Sequence, residues 1–156
     1  MNWYLLIKWL HVITSTVLLG TGAGIAFFFM RARRSADTRI IASVGRDVVL
    51  ADAVFTATAV IVQAASGIAL ALMAGFPLSA PWLVVSIALF ILVGCCWLPV
   101  LWLQIRMRDM AASAASAATP LPPAFKRYYG LWVALGWPAF IGVLGIFYLM
   151  VAKPMF

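Results

Sequence analysis

The chain has 156 residues, of which 66% are hydrophobic and 10% are charged. Soluble globular domains have about 45–50% apolar and about 25% charged residues, and disordered chains have few aromatic residues, so both classes are excluded. The composition therefore predicts a membrane-embedded domain. Because a transmembrane helix takes about 20 residues, four helices and their connections fill this length. The net charge of +7 is the second notable feature, and its origin depends on where the cations lie.

The residue inventory limits the possible chemistry. There is one histidine, His11, the two cysteines are the adjacent pair Cys95 and Cys96, and there is no Glu. These are too few ligands for a self-contained zinc site with three or four protein donors. No G-x-S-x-G sequence is present, which disfavours the corresponding serine hydrolases.

The first apolar run covers residues 3–30 and is interrupted only by Lys8 and His11. At 1.5 Å per residue it is about 42 Å long, enough to cross a bilayer with tilt. No basic segment precedes it, so we expect a membrane span rather than a signal peptide. In the connection that follows, apolar residues recur at helical spacing opposite Arg39 and Arg46, which predicts an amphipathic helix lying on the inner leaflet. These apolar residues are Ile40, Ile41, Val44 and Val48.

The other predicted spans are residues 48–76, 81–105 and 128–152. A short uncharged turn with two prolines, residues 75–81, joins the second span to the third. Residues 111–123, AASAASAATPLPP, are a low-complexity stretch that predicts a linker before the fourth span. The expected fold is therefore all-α, a single four-helix membrane bundle over residues 1–156.

Nine of the eleven cations fall in the two connections that follow the first and third spans. They are Arg31, Arg33, Arg34, Arg39, Arg46, Arg106, Arg108, Lys126 and Arg127. The positive-inside rule places both connections in the cytoplasm and both termini in the periplasm of a bacterial inner-membrane protein. This orientation accounts for the positive charge, so no nucleic-acid partner is expected.

Polar residues within the spans are the candidate functional groups, because polar groups at membrane depth are costly. In the first span, Lys8, His11 and Ser15 share one helical face, which continues to Gly22. In the second span, a stripe formed by Asp52, Thr56, Gln63 and Gly67 also occupies one face.

Counting the helical rise allows the depths of these groups to be compared. His11 lies about 12 Å below the outer interface and Gln63 about 16–18 Å below it, with Ser66 nearer the level of His11. We therefore expect a polar pocket in the outer half of the bundle. Asp52 lies only six residues past Arg46 and is expected to pair with an arginine of the connection.

Each of these residues also has a simpler interpretation. Lys8 can extend along its stem to the interface, and His11 can serve as an interhelical hydrogen-bond donor. Adjacent cysteines point about 100° apart on a helix, so Cys95 and Cys96 are expected to pack rather than to chelate an ion together. Met107 and Met110 offer soft donors for Cu(I), with no third soft donor nearby.

The first span, with Lys8-Trp9-Leu10-His11, Gly20-Thr21-Gly22 and the aromatic run that ends at Arg31, resembles HemJ-type protoporphyrinogen oxidases and CopD-like membrane proteins. The whole chain more closely resembles the integral membrane "domain of unknown function 2269" family. The segments that carry this resemblance include Pro81-Trp82-Leu83-Val84, Cys96-Trp97-Leu98-Pro99, Leu135-Gly136-Trp137-Pro138 and Lys153-Pro154.

The resemblance to HemJ-type proteins implies haem b as a cofactor, with His11 as the axial iron ligand and Lys8 meeting a propionate. Ser15, Gly22 and Gln63 then complete the expected cofactor-binding set. This chain departs from the pattern in one respect. HemJ-type oxidases also use a lysine in a later helix, and the spans predicted for the second to fourth helices contain none.

Two functions follow from the sequence. The first is a haem-binding membrane oxidoreductase that exchanges electrons with quinone or a larger respiratory complex. With one histidine per chain, ligation by two histidines requires a homodimer. The second is a non-catalytic accessory subunit or small transporter without a cofactor, in which His11, Gln63 and Asp52 either hold the helices together by hydrogen bonds or line a proton or solute path.

Overall fold

The structure is a computed structural model that describes residues 2–154, and within this range the chain is helical with no strands. It has four helices, each long and apolar enough to cross a membrane. They are α1 (Trp3–Arg34), α2 (Thr38–Met73), α3 (Pro81–Ser116) and α4 (Pro123–Ala152). The predicted all-α architecture with four spans is confirmed.

Local sequence signals set the helix ends. Asn2 caps α1 by accepting a hydrogen bond from the Leu5 amide, and Asp37 caps α2 by accepting hydrogen bonds from the amides of Arg39 and Ile40. Such caps satisfy amides that the first helical turn leaves free. Helices α3 and α4 each begin with a proline, which suits the first turn because it lacks an amide hydrogen.

The predicted amphipathic segment is present as a helix, but it packs into the bundle instead of lying free on the inner leaflet. Residues 38–51 are helical, but they continue directly into the second span through a π-helical turn at Asp52–Thr56. Ile41 and Val48 are buried, and Gly45 packs against Arg108 of α3. The apolar face was correctly located, but it is covered by α3 and so extends the bundle beyond the predicted span.

The alanine-rich stretch is also more ordered than expected. Helix α3 continues past Ile105 to Ser116, and Ala111 and Ala114 are buried. Alanine has the highest helix propensity, so this stretch continues the helix until Ala118 turns to a φ of 53°. Only residues 117–122 form the connection to α4, which begins five residues before the predicted span.

The helices pack in chain order, and the main core lies at the end of the bundle that carries the two basic connections, which we call the basic end. Its fully buried side chains include Phe29, Ile41, Met107 and Phe125. At the opposite end, a smaller cluster of Ala71, Trp82 and Leu83 packs beneath the turn between α2 and α3. Within α2, residues 38–51 pack mainly on α3 and residues 57–73 mainly on α1. The α1–α2 pair therefore forms its own interface toward the opposite end.

Candidate histidine site between the first two helices

His11 is joined to α2 through both nitrogens of its ring. Nδ1 lies 2.8 Å from the Ser66 hydroxyl, and Nε2 lies 3.0 Å from Nε2 of Gln63. Ser66 and Gln63 are three residues apart in a helix and therefore project from the same face. The ring is held on both sides by one face of α2, in the half of the bundle away from the basic end.

Thr14 completes this group, which we call the His11 cluster: His11, Thr14, Gln63 and Ser66. The Thr14 hydroxyl lies 2.6 Å from Oε1 of Gln63 and also within reach of the carbonyls of Leu10 and His11. It follows His11 by three residues, so both side chains face α2. The cluster thus links two residues of α1 to two residues of α2.

The donors and acceptors assign the histidine tautomer. An amide nitrogen can only donate, so Nε2 of His11 accepts from Gln63 and must carry the lone pair. Nδ1 then carries the hydrogen and donates it to Ser66, whose own hydroxyl donates to the Val62 carbonyl at 2.6 Å. The imidazole is therefore neutral, with Nδ1 anchored and a basic Nε2.

Gly67 provides the space in which the imidazole lies. A Cβ atom at this position would stand 3.1 Å from Cε1 of His11, closer than ordinary van der Waals contact. Glycine allows this approach because it has no side chain. The predicted alignment of Gln63 and Gly67 on one face of α2 thus has a physical role in seating the ring.

Of the predicted site residues, the structure brings His11 and Gln63 together and leaves three others outside the cluster. The Lys8 side chain is exposed, with its Nζ 5.9 Å from the centre of the Tyr4 ring. Ser15 donates a hydrogen bond to the Val12 carbonyl of its own helix. Gly22 is exposed, and no atom lies within 4 Å of where its Cβ would be.

The predicted depths correctly placed Gln63 and Ser66 beside His11, whereas Thr14 was missed as a member. The sequence does indicate Thr14, because this residue lies one helical turn from His11 and level with the polar residues of α2. A single threonine in an apolar span is common, however, since its hydroxyl can bond to a carbonyl of the preceding turn. Only the distance of 2.6 Å from its hydroxyl to Oε1 of Gln63, across the helix interface, shows that Thr14 belongs to the cluster.

The side of α1 that bears His11 also turns toward α4. Phe29 follows His11 by 18 residues, five full helical turns, and so has nearly the same angular position. Its ring centre lies 5.4 Å from that of Trp132 and 6.4 Å from that of Tyr129, both in α4. Gly22 lies on this side of α1, between the His11 cluster and these aromatic contacts.

His11 can supply one bond to a metal, so this site suits a metal that already has other ligands. In the part of the chain that the structure describes, no group of three or more His, Cys, Asp or Glu side chains converges. A haem iron brings four porphyrin nitrogens and needs only axial ligands from the protein. The chemistry of His11 fits this requirement, provided that the iron takes the place of the Gln63 amide at Nε2.

The cavity on this interface is not a preformed haem slot. It has a volume of about 190 Å³ and lies between α1 and α2 beside Thr14. Val17, Phe55, Thr58, Ala59 and Val62 form the rest of its wall, which does not include His11.

The expected pairing of Asp52 with a loop arginine is wrong. The Asp52 side chain is buried in the bundle, and Oδ1 accepts a hydrogen bond from the Trp97 indole at 3.3 Å. The ion pair found among residues 2–154 joins Arg108 to Asp109. Asp52 points inward because residues 38–51 pack against α3, which turns this face of α2 away from solvent.

Cys95 and Cys96 point into different environments, as expected of adjacent residues on a helix. Cys95 is exposed and Cys96 is buried, and both are free thiols. Met107 is fully buried in the core at the basic end, where its thioether contributes to packing.

Comparisons with known proteins place this architecture in a family. No curated protein and no solved structure matches the sequence significantly. A family model of predicted integral membrane proteins matches residues 5–154, which include all four helices except the first two residues of α1. The chain therefore belongs to the DUF2269 family of predicted integral membrane proteins.

Proposed function

We propose that this protein is a redox protein of the bacterial inner membrane that binds b-type haem through Nε2 of His11. The observation that carries the proposal is the tautomer of the His11 imidazole. Ser66 fixes the hydrogen on Nδ1, which leaves the Nε2 lone pair available as a ligand. Metal-binding histidines generally have their second ring nitrogen held in this way by a hydrogen bond.

The remaining predicted residues have roles along the open side of α1. Lys8 lies one turn closer to the N-terminus than His11, where its exposed ammonium group is available to pair with a haem propionate. Ser15 and Gly22 continue the same face, and there is open space where a Cβ of Gly22 would be. For iron to bind at Nε2, Gln63 would have to give up its hydrogen bond to that nitrogen.

A bound haem would supply one-electron chemistry, and His11 and Lys8 would position it in this chain. Because the sequence has one histidine, the same residue of a second copy is the source of a second imidazole ligand in a homodimer. Quinone, which resides in the same lipid phase, or a larger respiratory complex is the proposed electron partner. The basic end faces the cytoplasm, as its nine cations indicate.

A second function is favoured by one specific observation. Both ring nitrogens of His11 already have hydrogen-bond partners within the chain, as expected of a residue that only holds two helices together. In that case the protein is an accessory subunit or small transporter without a cofactor, and the His11 cluster acts only to hold α1 against α2.

An absorption spectrum separates the two functions. The protein is purified in detergent after expression with a haem precursor, and its Soret absorbance is compared with that of His11→Ala. Haem binding predicts a Soret band in the wild type that the variant lacks. A colourless wild-type protein that also fails to take up added haemin contradicts the proposal and leaves the accessory role.

A further inference from the structure

A second polar group lies in the bundle, apart from the His11 cluster, at the π-helical turn of α2. Asp52 is 3% exposed and Thr56 is 7% exposed. They are four residues apart in α2, so their side chains share one face. Neither residue takes part in the proposed binding of haem.

These residues lie at membrane depth. Gly45 contacts Arg108 at the basic end, and Asp52 is seven residues further along α2, or about 10 Å deeper by helical rise. An ionisable side chain at such depth is costly and is normally paired with another polar group.

The polar partners recorded for this pair are too few to compensate a buried charge. Asp52 has the Trp97 indole as its side-chain hydrogen-bond donor, and no Lys, Arg or His nitrogen among residues 2–154 lies within 4.0 Å of its carboxylate. The Thr56 hydroxyl oxygen is fully buried and has no hydrogen-bond partner. A carboxylate without a cation and a hydroxyl without a partner therefore occupy neighbouring positions.

The backbone at this point is also unusual. Asp52 and Thr56 are the first and last residues of the π-helical turn, in which the Ala57 amide bonds to the Asp52 carbonyl five residues earlier. Such single π turns within α-helices are rare and occur frequently at functional sites. The turn packs against α1, and from it the Asp52 carboxylate reaches Trp97 of α3.

We propose that Asp52 and Thr56 form a binding site for a small monovalent cation, with Na⁺ as the candidate. Carboxylate and hydroxyl oxygens are hard donors that suit such a cation. The charge balance favours a single positive charge, because Na⁺ neutralises one carboxylate whereas a divalent ion would leave a net charge buried in the membrane. The cation also supplies the Thr56 oxygen with the partner that it lacks.

Equilibrium dialysis of the detergent-solubilised protein against radioactive ²²Na⁺ tests this site directly, with choline chloride maintaining the ionic strength. The variants are Asp52→Asn and Thr56→Val, which preserve side-chain shape and remove the charge or the hydroxyl. Asp47→Asn is the matched control, since Asp47 is an exposed carboxylate of the same helix. Thermal unfolding in NaCl and in choline chloride provides a second readout.

The proposal predicts saturable binding to the wild type and to Asp47→Asn, and a higher unfolding temperature in NaCl for both. Losing one ligand should weaken binding by about 5- to 150-fold in Thr56→Val, and Asp52→Asn should abolish it. If Asp52→Asn does not fold, Thr56→Val decides the question. Absence of ²²Na⁺ binding in the wild type, or equal binding by wild type and Thr56→Val, would overturn the proposal.

Discussion

Gly67 and His11 are in unusually close contact across the α1–α2 interface. A Cβ atom at position 67 would lie 3.1 Å from Cε1 of the His11 ring. The ring has little freedom to withdraw, because hydrogen bonds to Ser66 and Gln63 hold it on both sides. The position of the imidazole therefore depends on a residue that makes no polar contact with it.

Replacing Gly67 with alanine should consequently displace the ring and strain the interface. Overpacking of this kind costs about 1–3 kcal/mol. We expect Gly67→Ala to lower the free energy of unfolding, measured by SDS titration in mixed micelles with circular dichroism. Gly24→Ala is the control, because position 24 has no atom within 4 Å of an added Cβ. An unchanged stability of Gly67→Ala relative to this control would show that the interface adapts freely.

The hydrogen bond between Gln63 and His11 should be measurable as a coupling energy. Interhelical hydrogen bonds in membranes contribute about 0.6–2 kcal/mol. A double-mutant cycle with His11→Ala and Gln63→Ala, followed by the same SDS titration, should give a coupling in this range. Additive effects of the two substitutions would mean that the contact at 3.0 Å contributes nothing to stability.

The close packing of α3 against α4 should depend on Gly142. A Cβ at this position would lie 2.8 Å from Cγ2 of Val93, so an alanine forces Val93 or the helix itself to shift. We expect Gly142→Ala to destabilise the fold by about 1–3 kcal/mol. Gly136→Ala in the same helix has open space for its methyl group and should be neutral in the same assay. Equal stabilities of the two variants would contradict this packing.

The proposed orientation can be tested by labelling engineered cysteines in intact cells. In a variant without Cys95 and Cys96, Ser79→Cys lies in the turn between α2 and α3, and Ser35→Cys lies at the basic end. The positive-inside rule predicts that a membrane-impermeant maleimide labels position 79 from outside and position 35 only after permeabilisation. The reverse pattern would place the basic end in the periplasm.

The sequence predicted the fold well because hydrophobic length is a strong constraint in membranes. The first and third helices begin at residues 3 and 81, as predicted. The wrong predictions of helix bounds concern segments where a helix continues beyond its apolar residues. Residues 38–51 and 106–116 stay helical because each packs against the other helix, and hydropathy carries no information about that contact.

The candidate site was predictable in depth but not in rotation. Counting residues placed Gln63 and Ser66 at the level of His11, because the rise per residue is fixed. Which side chains touch depends on how each helix is turned, and that is set by packing at distant points such as Phe29 on Trp132. For this reason the inward orientation of Asp52 was missed.

The most direct test of the central claim is the haem content of the purified protein and its dependence on Nε2 of His11. We expect a Soret band in the wild type and its loss in His11→Ala. Gln63→Ala should retain the band, because it removes only the amide that competes with iron for Nε2. A band of equal intensity in His11→Ala, or none in the wild type after addition of haemin, would contradict the assignment of His11 as a haem ligand.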